Sequence, residues 1–134
     1  MHDHPYVLYV EDDLQSRSIM HILMEDYGLG ELMALETSDD FLARLEDLMF
    51  KPDIIFLDIH VAPHNGFEML AALRQHPAFA DIPVVALTAS VMNEEVAQLR
   101  AAGFQGVIAK PIDIDRFPQI FQRLLNGESI WRIV

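Results

Sequence analysis

The 134-residue sequence contains no cysteine and few basic residues. The absence of cysteine excludes disulfide bonds, thiolate metal sites and thiol catalysis. Lys and Arg together number 9 against 21 Asp and Glu, so the formal net charge is −12. Because contact with a phosphate backbone needs clustered basic side chains, this balance argues against a nucleic-acid partner.

Long apolar runs are also absent from the sequence. None approaches the ~20 residues that cross a bilayer, and the N-terminus has no basic region that leads into a secretory signal. We therefore expect a cytoplasmic protein that does not enter a membrane. Within this terminus, His2 and His4 are expected to be frayed rather than to bind a metal.

Hydrophobic residues are abundant, at 51% of the chain, while charged residues make up 22%. This composition is typical of a folded globular protein and not of a disordered one. The length fits one domain that buries enough surface to be stable without covalent cross-links.

Short apolar runs alternate with amphipathic stretches along the chain. The runs cover residues 6–10, 31–35, 53–57, 82–87 and 106–109. They are too short for helices and too continuously apolar for half-exposed strands, so they predict buried strands of a parallel sheet. Repeated strand-then-helix units predict an α/β fold: a doubly wound, flavodoxin-like five-stranded parallel sheet in the order 2-1-3-4-5, with five helices.

The amphipathic stretches predict helices whose apolar faces pack on that sheet. The predicted core faces are Ile19, Ile22, Leu23 and Tyr27; Phe41, Leu45 and Leu48; Phe67, Leu70 and Leu73; and Phe117, Ile120, Phe121 and Leu124. We predict that Asn93 caps the fourth helix at its start and that Gly103 ends it. The fifth helix is predicted to end before Asn126.

Acidic residues directly follow two of the predicted strands. The first strand runs into Glu11-Asp12-Asp13, and the third runs into Asp58. Since ligands of such a sheet bind beyond the carboxyl ends of its strands, these carboxylates are expected to converge. They would repel one another without a cation, and their oxygen atoms suit Mg²⁺. For Asp13, capping of the first helix is an equally good explanation.

A hydroxyl and an ammonium group stand at the ends of the last two predicted strands. The fourth strand ends in Thr88-Ala89-Ser90, and the fifth ends in Lys110-Pro111. Beside a metal-bound carboxylate, these donors could hold the oxygen atoms of a phosphoryl group. Each motif alone is weak evidence, but their occurrence at successive strand ends is specific.

Together these motifs resemble the receiver domain of two-component response regulators over essentially the whole chain. The resemblance is carried by Val10-Glu11-Asp12-Asp13 with Arg17, Leu57-Asp58-Ile59, Gly66-Phe67-Glu68, Ala86-Leu87-Thr88-Ala89, and Ala102-Gly103 ahead of Lys110-Pro111. It implies a phosphoacceptor that takes a phosphoryl group onto Asp58 from a sensor histidine kinase or phosphotransfer protein and signals through protein contacts. Such a protein is not an enzyme beyond its own phosphorylation and dephosphorylation.

The resemblance also implies roles for the other site residues. The implied ligands of Mg²⁺, or alternatively of Mn²⁺, are Glu11, Asp12, Asp58 and the backbone carbonyl of His60. Asp12 would bind the ion directly and Glu11 through a water molecule. Thr88 and Lys110 would contact the phosphoryl oxygens, and the Lys110-Pro111 peptide bond is expected to be cis.

Residues around the expected phosphoryl pocket are predicted to tune its chemistry. His60 and Ser90 would flank the path of the water molecule that removes the phosphoryl group, and the small Ala89 would leave room for that group to enter. Val107 departs from the family, which commonly has an aromatic residue three positions before the lysine. A valine cannot make the same large rotamer change, so we expect a smaller switch or one relayed by the Thr88 loop.

Other functions are less consistent with these residues. A phosphatase of the haloacid dehalogenase type needs a second Asp two residues after the first, where His60 stands, and a cap domain that cannot fit. A flavin-binding flavodoxin would place its phosphate where Glu11-Asp12-Asp13 would repel it. A receiver-like structural or dimerisation module that works without phosphorylation remains the alternative.

The chain is predicted to divide into a receiver domain, residues 1–127, and an apolar tail, residues 128–134, with no output domain. Ile130, Trp131, Ile133 and Val134 make the tail too apolar for a solvated end. The tail could dock on the domain itself, or it could join the face formed by the fourth helix, fifth strand and fifth helix in a homodimer or target contact.

Overall fold

The structure, a computed structural model, describes residues 4–131. The expectations for His2 and for tail residues 132–134 therefore lie outside the described residues. The strands are β1 (Tyr6–Val10), β2 (Glu31–Leu35), β3 (Ile54–Asp58), β4 (Val84–Thr88) and β5 (Gly106–Ala109). The helices are α1 (Leu14–His21), α2 (Phe41–Glu46), α3 (Gly66–Gln75), α4 (Asn93–Ala102) and α5 (Phe117–Leu125).

Within this part of the chain, all five strands are parallel and form one sheet in the order β2-β1-β3-β4-β5. The predicted fold and strand order are confirmed. The order reverses direction between β1 and β3, which opens a crevice at the carboxyl ends of these two strands. None of the helices in residues 4–131 is both long and apolar enough to span a bilayer.

Apolar side chains form a core on each face of the sheet. Helices α2, α3 and α4 pack on one face, around Leu8, Ile55 and Val84. Helices α1 and α5 pack on the other face, around Tyr9, Phe56 and Val85. Strands β3 and β4 are buried along their whole length because helices cover them on both sides.

The bounds of two strands differ from the prediction by one or two residues. Strand β3 begins after the exposed Asp53 and extends through Asp58. Strand β4 begins after Pro83, whose nitrogen has no hydrogen to donate to a neighbouring strand, and extends through Thr88. Each shift brings a predicted site residue, Asp58 or Thr88, into the last position of its strand.

The predicted core face of the first helix was partly wrong. Ile22 and Tyr27 are exposed, while Met20 and Met24 are buried with Leu23. After His21 the chain enters a π-helical turn, Ile22–Asp26, that ends with a hydrogen bond from the Tyr27 nitrogen to the Ile22 oxygen, 3.1 Å. A wider turn changes the phase of the side chains, which a constant 3.6-residue period does not anticipate.

The predicted start of α4 was also wrong by one residue. Met92 has the extended backbone of a capping residue and makes no side-chain cap, and Asn93 is the first helical residue. The predicted end is confirmed: Gly103 follows the helix with a φ of 106°, a conformation that favours glycine. Helix α5 likewise ends at Leu125, before Asn126.

The described part of the tail lies along the outer edge of β5. Ile130 forms a parallel bridge with Gly106, and the Val107 nitrogen donates to the Ile130 oxygen at 2.9 Å. Trp131 continues toward α4, where the guanidinium carbon of Arg100 lies 5.3 Å from the centre of its ring. A β-carbon at Gly106 would lie 2.6 Å from the Ile130 oxygen, so this close approach requires glycine.

Candidate functional site

Three carboxylates meet in the crevice between β1 and β3. One oxygen atom from each of Glu11, Asp12 and Asp58 lies within 4.8 Å of the others. Glu11 and Asp58 have exposed fractions of 0% and 3%, whereas Asp12 is exposed. The convergence follows from the topology, because the carboxyl ends of neighbouring parallel strands meet at one edge.

Lys110 joins this cluster from the end of β5. Its Nζ lies 2.7 Å from Glu11 Oε1 and 3.3 Å from Asp58 Oδ2. Burial lowers the pKa of the Lys110 ammonium, but its hydrogen bond to Glu11 and the charge of Asp58 outweigh burial and hold that pKa above its usual value. Lys110 is therefore a fixed positive charge between two buried carboxylates.

Glu11 receives donors from several directions. Its Oε1 accepts hydrogen bonds from Lys110 Nζ and from the Tyr9 hydroxyl, each 2.7 Å. Burial and the adjacent Asp58 nevertheless raise the pKa of the Glu11 carboxyl. Glu11 and Asp58 therefore repel each other despite these donors, and a divalent cation would relieve that repulsion.

The Asp58 carboxylate is held at the end of β3 by two donors. The backbone nitrogen of His60 donates to Oδ1 at 3.1 Å, and Lys110 Nζ lies close to Oδ2. A β-carbon at Gly66 would lie 3.0 Å from the Ile59 Cα and 3.3 Å from the backbone carbonyl oxygen of Asp58. The first turn of α3 can therefore pack tightly behind Asp58 only because it begins with glycine.

Thr88 and the residues after it form the next wall of the site. Thr88 is buried at the end of β4, and its Oγ1 accepts a hydrogen bond from the Ser90 nitrogen at 3.1 Å. The backbone nitrogen of Lys110 donates to the backbone oxygen of Thr88 at 2.9 Å. This bond fixes the end of β5 beside the end of β4. Ala89 is exposed between Thr88 and Ser90.

A cavity of about 210 Å³ adjoins this wall. Thr88, Ser90 and His60 all border it, as do the partly buried Phe67 and the buried Leu99. The three polar residues that the sequence analysis assigned to the phosphoryl pocket or its tuning thus share one space. Val107 is buried in the core, as its apolar side chain requires.

Asp13 caps the first helix, which answers the question that the sequence left open. Its Oδ2 accepts hydrogen bonds from the Ser16 nitrogen at 3.0 Å and the Ser16 hydroxyl at 2.7 Å. These bonds lower the pKa of the Asp13 carboxyl. The cap fixes the start of α1, so the acidic segment before it has a defined backbone.

The loop after β3 is held by a contact that the sequence analysis did not anticipate. Ser38 is fully buried, and its hydroxyl accepts a hydrogen bond from the His64 nitrogen at 2.6 Å. Thr37 Oγ1 donates to the Ala62 oxygen at 3.0 Å. Two adjacent hydroxyl residues after an apolar strand were the available signal, since such side chains commonly bond loop backbone.

Two peptide bonds in the loops around the site are cis. The cis bond at Lys110-Pro111 confirms the prediction. The second lies at Ala62-Pro63, in the loop held by Ser38, and was not predicted.

The donor set fits a hard divalent cation. The cluster offers carboxylate oxygen atoms, and the Lys110 ammonium opposes part of their charge. Mg²⁺ binds such groups while retaining several water molecules. The site residues Glu11, Asp12, Asp58 and Lys110 are thus brought together, and Thr88 adjoins them through the end of β5.

Comparison with known proteins gives one consistent family. The family model of the response regulator receiver domain matches residues 7–122. The polar-differentiation response regulator DivK of Brucella anthropi is 30% identical over 123 residues, which cover 90% of this chain and 95% of that protein. The sensor histidine kinase AruS of Pseudomonas aeruginosa is 34% identical over 111 residues, which cover 81% of this chain and 11% of that kinase.

Solved structures share the fold. The chemotaxis response regulator CheY4 of Vibrio cholerae superimposes with a TM-score of 0.77 at 24% identity, covering 90% of this chain and 98% of that one. The bacteriophytochrome response regulator AtBRR superimposes with a TM-score of 0.77 at 21% identity, covering 99% of both chains.

Proposed function

The chain belongs to the receiver domain family of response regulators, and from this premise we propose that Asp58 accepts a phosphoryl group from a phosphohistidine. The donor would be a sensor histidine kinase or a phosphotransfer protein. The observation that carries the proposal is the buried position of Asp58 beside the Lys110 ammonium, 3.3 Å away, within a cluster of carboxylates. Receiver domains are signalling modules, so we propose a switch and not an enzyme with turnover.

The chemistry requires an activated donor because a carboxylate is a weak nucleophile. An Asp58 oxygen would bond to phosphorus while the phosphorus–nitrogen bond of the donor breaks, and the imidazole nitrogen would leave with that electron pair. Lys110 would pair with a phosphoryl oxygen, and the Thr88 hydroxyl would donate to another. Lys110 Nζ lies 3.3 Å from Asp58 Oδ2, and Thr88 is the last residue of β4, which pairs with β3.

A metal ion would complete the charge balance of this site. We propose that Glu11, Asp12 and Asp58 hold Mg²⁺ or Mn²⁺, together with the backbone carbonyl of His60. The bound ion would neutralise charge that accumulates on the phosphoryl oxygens. The close approach of the Glu11, Asp12 and Asp58 carboxylates, with one oxygen atom of each within 4.8 Å of the others, supports a cation here because these groups would otherwise repel one another.

Incubation with acetyl phosphate or phosphoramidate tests the proposal. We expect the intact mass to rise by one phosphoryl group in Mg²⁺ and to remain unchanged in EDTA. Melting curves in the same buffers should show stabilisation by Mg²⁺, since an ion that binds only the native state stabilises it by mass action. A protein that binds Mg²⁺ but gains no mass from either donor would support the alternative, a receiver-like module that works without phosphorylation.

His60 and Ser90 are proposed to set the lifetime of the phosphoryl group. Both border the cavity beside Thr88, where a side chain can block or orient the attacking water molecule. We expect His60→Ala and Ser90→Ala each to change the rate of phosphate loss severalfold, measured by intact mass after removal of the donor. His64→Ala is the matched control, because His64 is exposed in the same loop outside that cavity. Wild-type rates in both test variants would contradict the assignment.

Signalling is proposed to use the face formed by α4, β5 and α5. A groove of about 590 Å³ lies at the β5 and α5 part of this face, bordered by Phe117, Ile120 and Ile130 with Arg116 and Arg123. We propose that this groove contacts a downstream protein or a second copy of the chain. In this proposal residues 1–127 are the receiver domain and residues 128–134 are the tail.

The net charge of −12 argues against nucleic acid as the partner. The absence of cysteine suits a cytoplasmic location, which we also propose.

A further inference from the structure

Tyr9 places a buried hydroxyl group next to the acidic cluster. Its ring is fully buried in the core beneath α1 and α5. Residues two apart on a strand face the same side, so the Tyr9 hydroxyl reaches the Glu11 side chain. The hydroxyl donates to Glu11 Oε1 at 2.7 Å. A phenol hydroxyl is a hydrogen-bond donor, whereas an ionised carboxylate can only accept.

The two oxygen atoms of Glu11 are held differently. Oε1 accepts two short hydrogen bonds, from Tyr9 and from Lys110 Nζ. Oε2 accepts a longer bond, 3.3 Å, from the Asp13 nitrogen. Bonds to an ionised acceptor are strong and directional, so Oε1 is committed to protein donors. Oε2 is the oxygen left for a cation or for a water molecule on that cation.

Hydrogen bonds also hold the backbone of Glu11 in place. The orientation of the carboxylate therefore depends on the contacts of the side chain. The backbone nitrogen of Glu11 donates to the backbone oxygen of Leu35 at 2.9 Å, and Arg17 Nη1 donates to the backbone oxygen of Glu11 at 2.8 Å. With the backbone held in this way, the Tyr9 hydroxyl and the Lys110 ammonium determine how the carboxylate is turned.

We propose that Tyr9 is a positioning residue whose hydroxyl orients the Glu11 carboxylate toward the metal ion. The inference rests on the proposed function, since it concerns the ion and the phosphoryl acceptor of the same site.

Calorimetric titration of the full chain with Mg²⁺ tests this role. Tyr9→Phe keeps the buried ring and removes only the hydroxyl, and we expect the Kd for Mg²⁺ to rise about tenfold, as for other residues that orient metal ligands. Tyr27→Phe is the matched control, because Tyr27 is exposed after α1, and its Kd should equal that of wild type. Phosphorylation of Tyr9→Phe should recover toward the wild-type rate when Mg²⁺ is raised to saturation.

A double-mutant cycle separates positioning from a general structural effect. If Tyr9 acts through the Glu11 charge, Tyr9→Phe should have little effect on the Kd in a Glu11→Gln background. Fluorotyrosine at position 9 retains ring and hydroxyl and should keep the wild-type Kd, which also covers the case in which Tyr9→Phe folds poorly.

The possible results distinguish a failure of the role of Tyr9 from a failure of the proposed function. An unchanged Kd in Tyr9→Phe, an equal loss in the Glu11→Gln background, or a loss with fluorotyrosine would overturn the role of Tyr9 while leaving phosphorylation of Asp58 intact. Wild-type protein that binds no Mg²⁺ would instead overturn the metal site of the proposed function, and the role of Tyr9 with it.

Discussion

Replacing Asp58 with Asn is expected to abolish phosphoryl uptake from small-molecule donors while the fold survives. The amide keeps the shape of the side chain but lacks the nucleophilic oxygen. Its carbonyl oxygen can still accept the hydrogen bond from the His60 nitrogen, and Lys110 retains its 2.7 Å contact with Glu11. Removal of one carboxylate from the cluster also relieves repulsion, so unfolding in EDTA should require at least as much denaturant as for wild type.

The matched control for this substitution is Asp47→Asn, at an exposed position after α2. It should gain one phosphoryl group as wild type does, measured by intact mass in Mg²⁺. Uptake by Asp58→Asn at the wild-type rate would show that another residue is the principal acceptor.

Replacing Gly106 with Ala is expected to release the tail from β5. The added carbon would lie 2.6 Å from the Ile130 oxygen and 3.1 Å from the Ile130 nitrogen, both backbone atoms that no side-chain rotation can move. Displacement would return the buried Ile130 side chain to water and break the Val107 to Ile130 hydrogen bond. We expect the free energy of unfolding to fall by about 2 kcal/mol, the order of a buried aliphatic side chain.

The only tryptophan in the chain, Trp131, reports this release directly. Its fluorescence should shift to longer wavelength and become more accessible to acrylamide, because its contacts with the core and with Arg100 are lost. Val7→Ala is the control, since it removes buried volume from β1, away from the tail, and should lower stability without shifting the emission. An unshifted emission maximum in Gly106→Ala would mean that the tail stays in place.

The residues of the site could be predicted because topology alone brings them together. Glu11, Asp58 and Lys110 each lie at or just after the carboxyl end of a strand, and parallel strands place those ends along one edge of the sheet. Nothing about side-chain packing is needed for that conclusion. The charge pattern of these residues then suffices to indicate a cation and phosphoryl chemistry.

Other features depend on contacts that the spacing of apolar residues along the sequence does not predict. In the sequence, Tyr9 is indistinguishable from the apolar residues of a buried strand. Its hydrogen bond to Glu11, on which the proposed positioning role depends, is visible only in the structure. The exposure of Ile22 depends on a π-helical turn, which has no simple sequence signal. Local propensity favours Asn over Met as a capping residue, but α4 begins one residue earlier, with Met92 at the capping position.

The position of the tail has a practical consequence for protein engineering. In this sheet β2 and β5 are the outer strands, and an open outer strand can pair with a strand of another molecule and start aggregation. The backbone of Ile130 occupies part of the β5 edge and shields it from such pairing. A variant in which Ile130 no longer pairs with Gly106 would therefore expose this part of the β5 edge, and we expect such a variant to self-associate more readily than wild type.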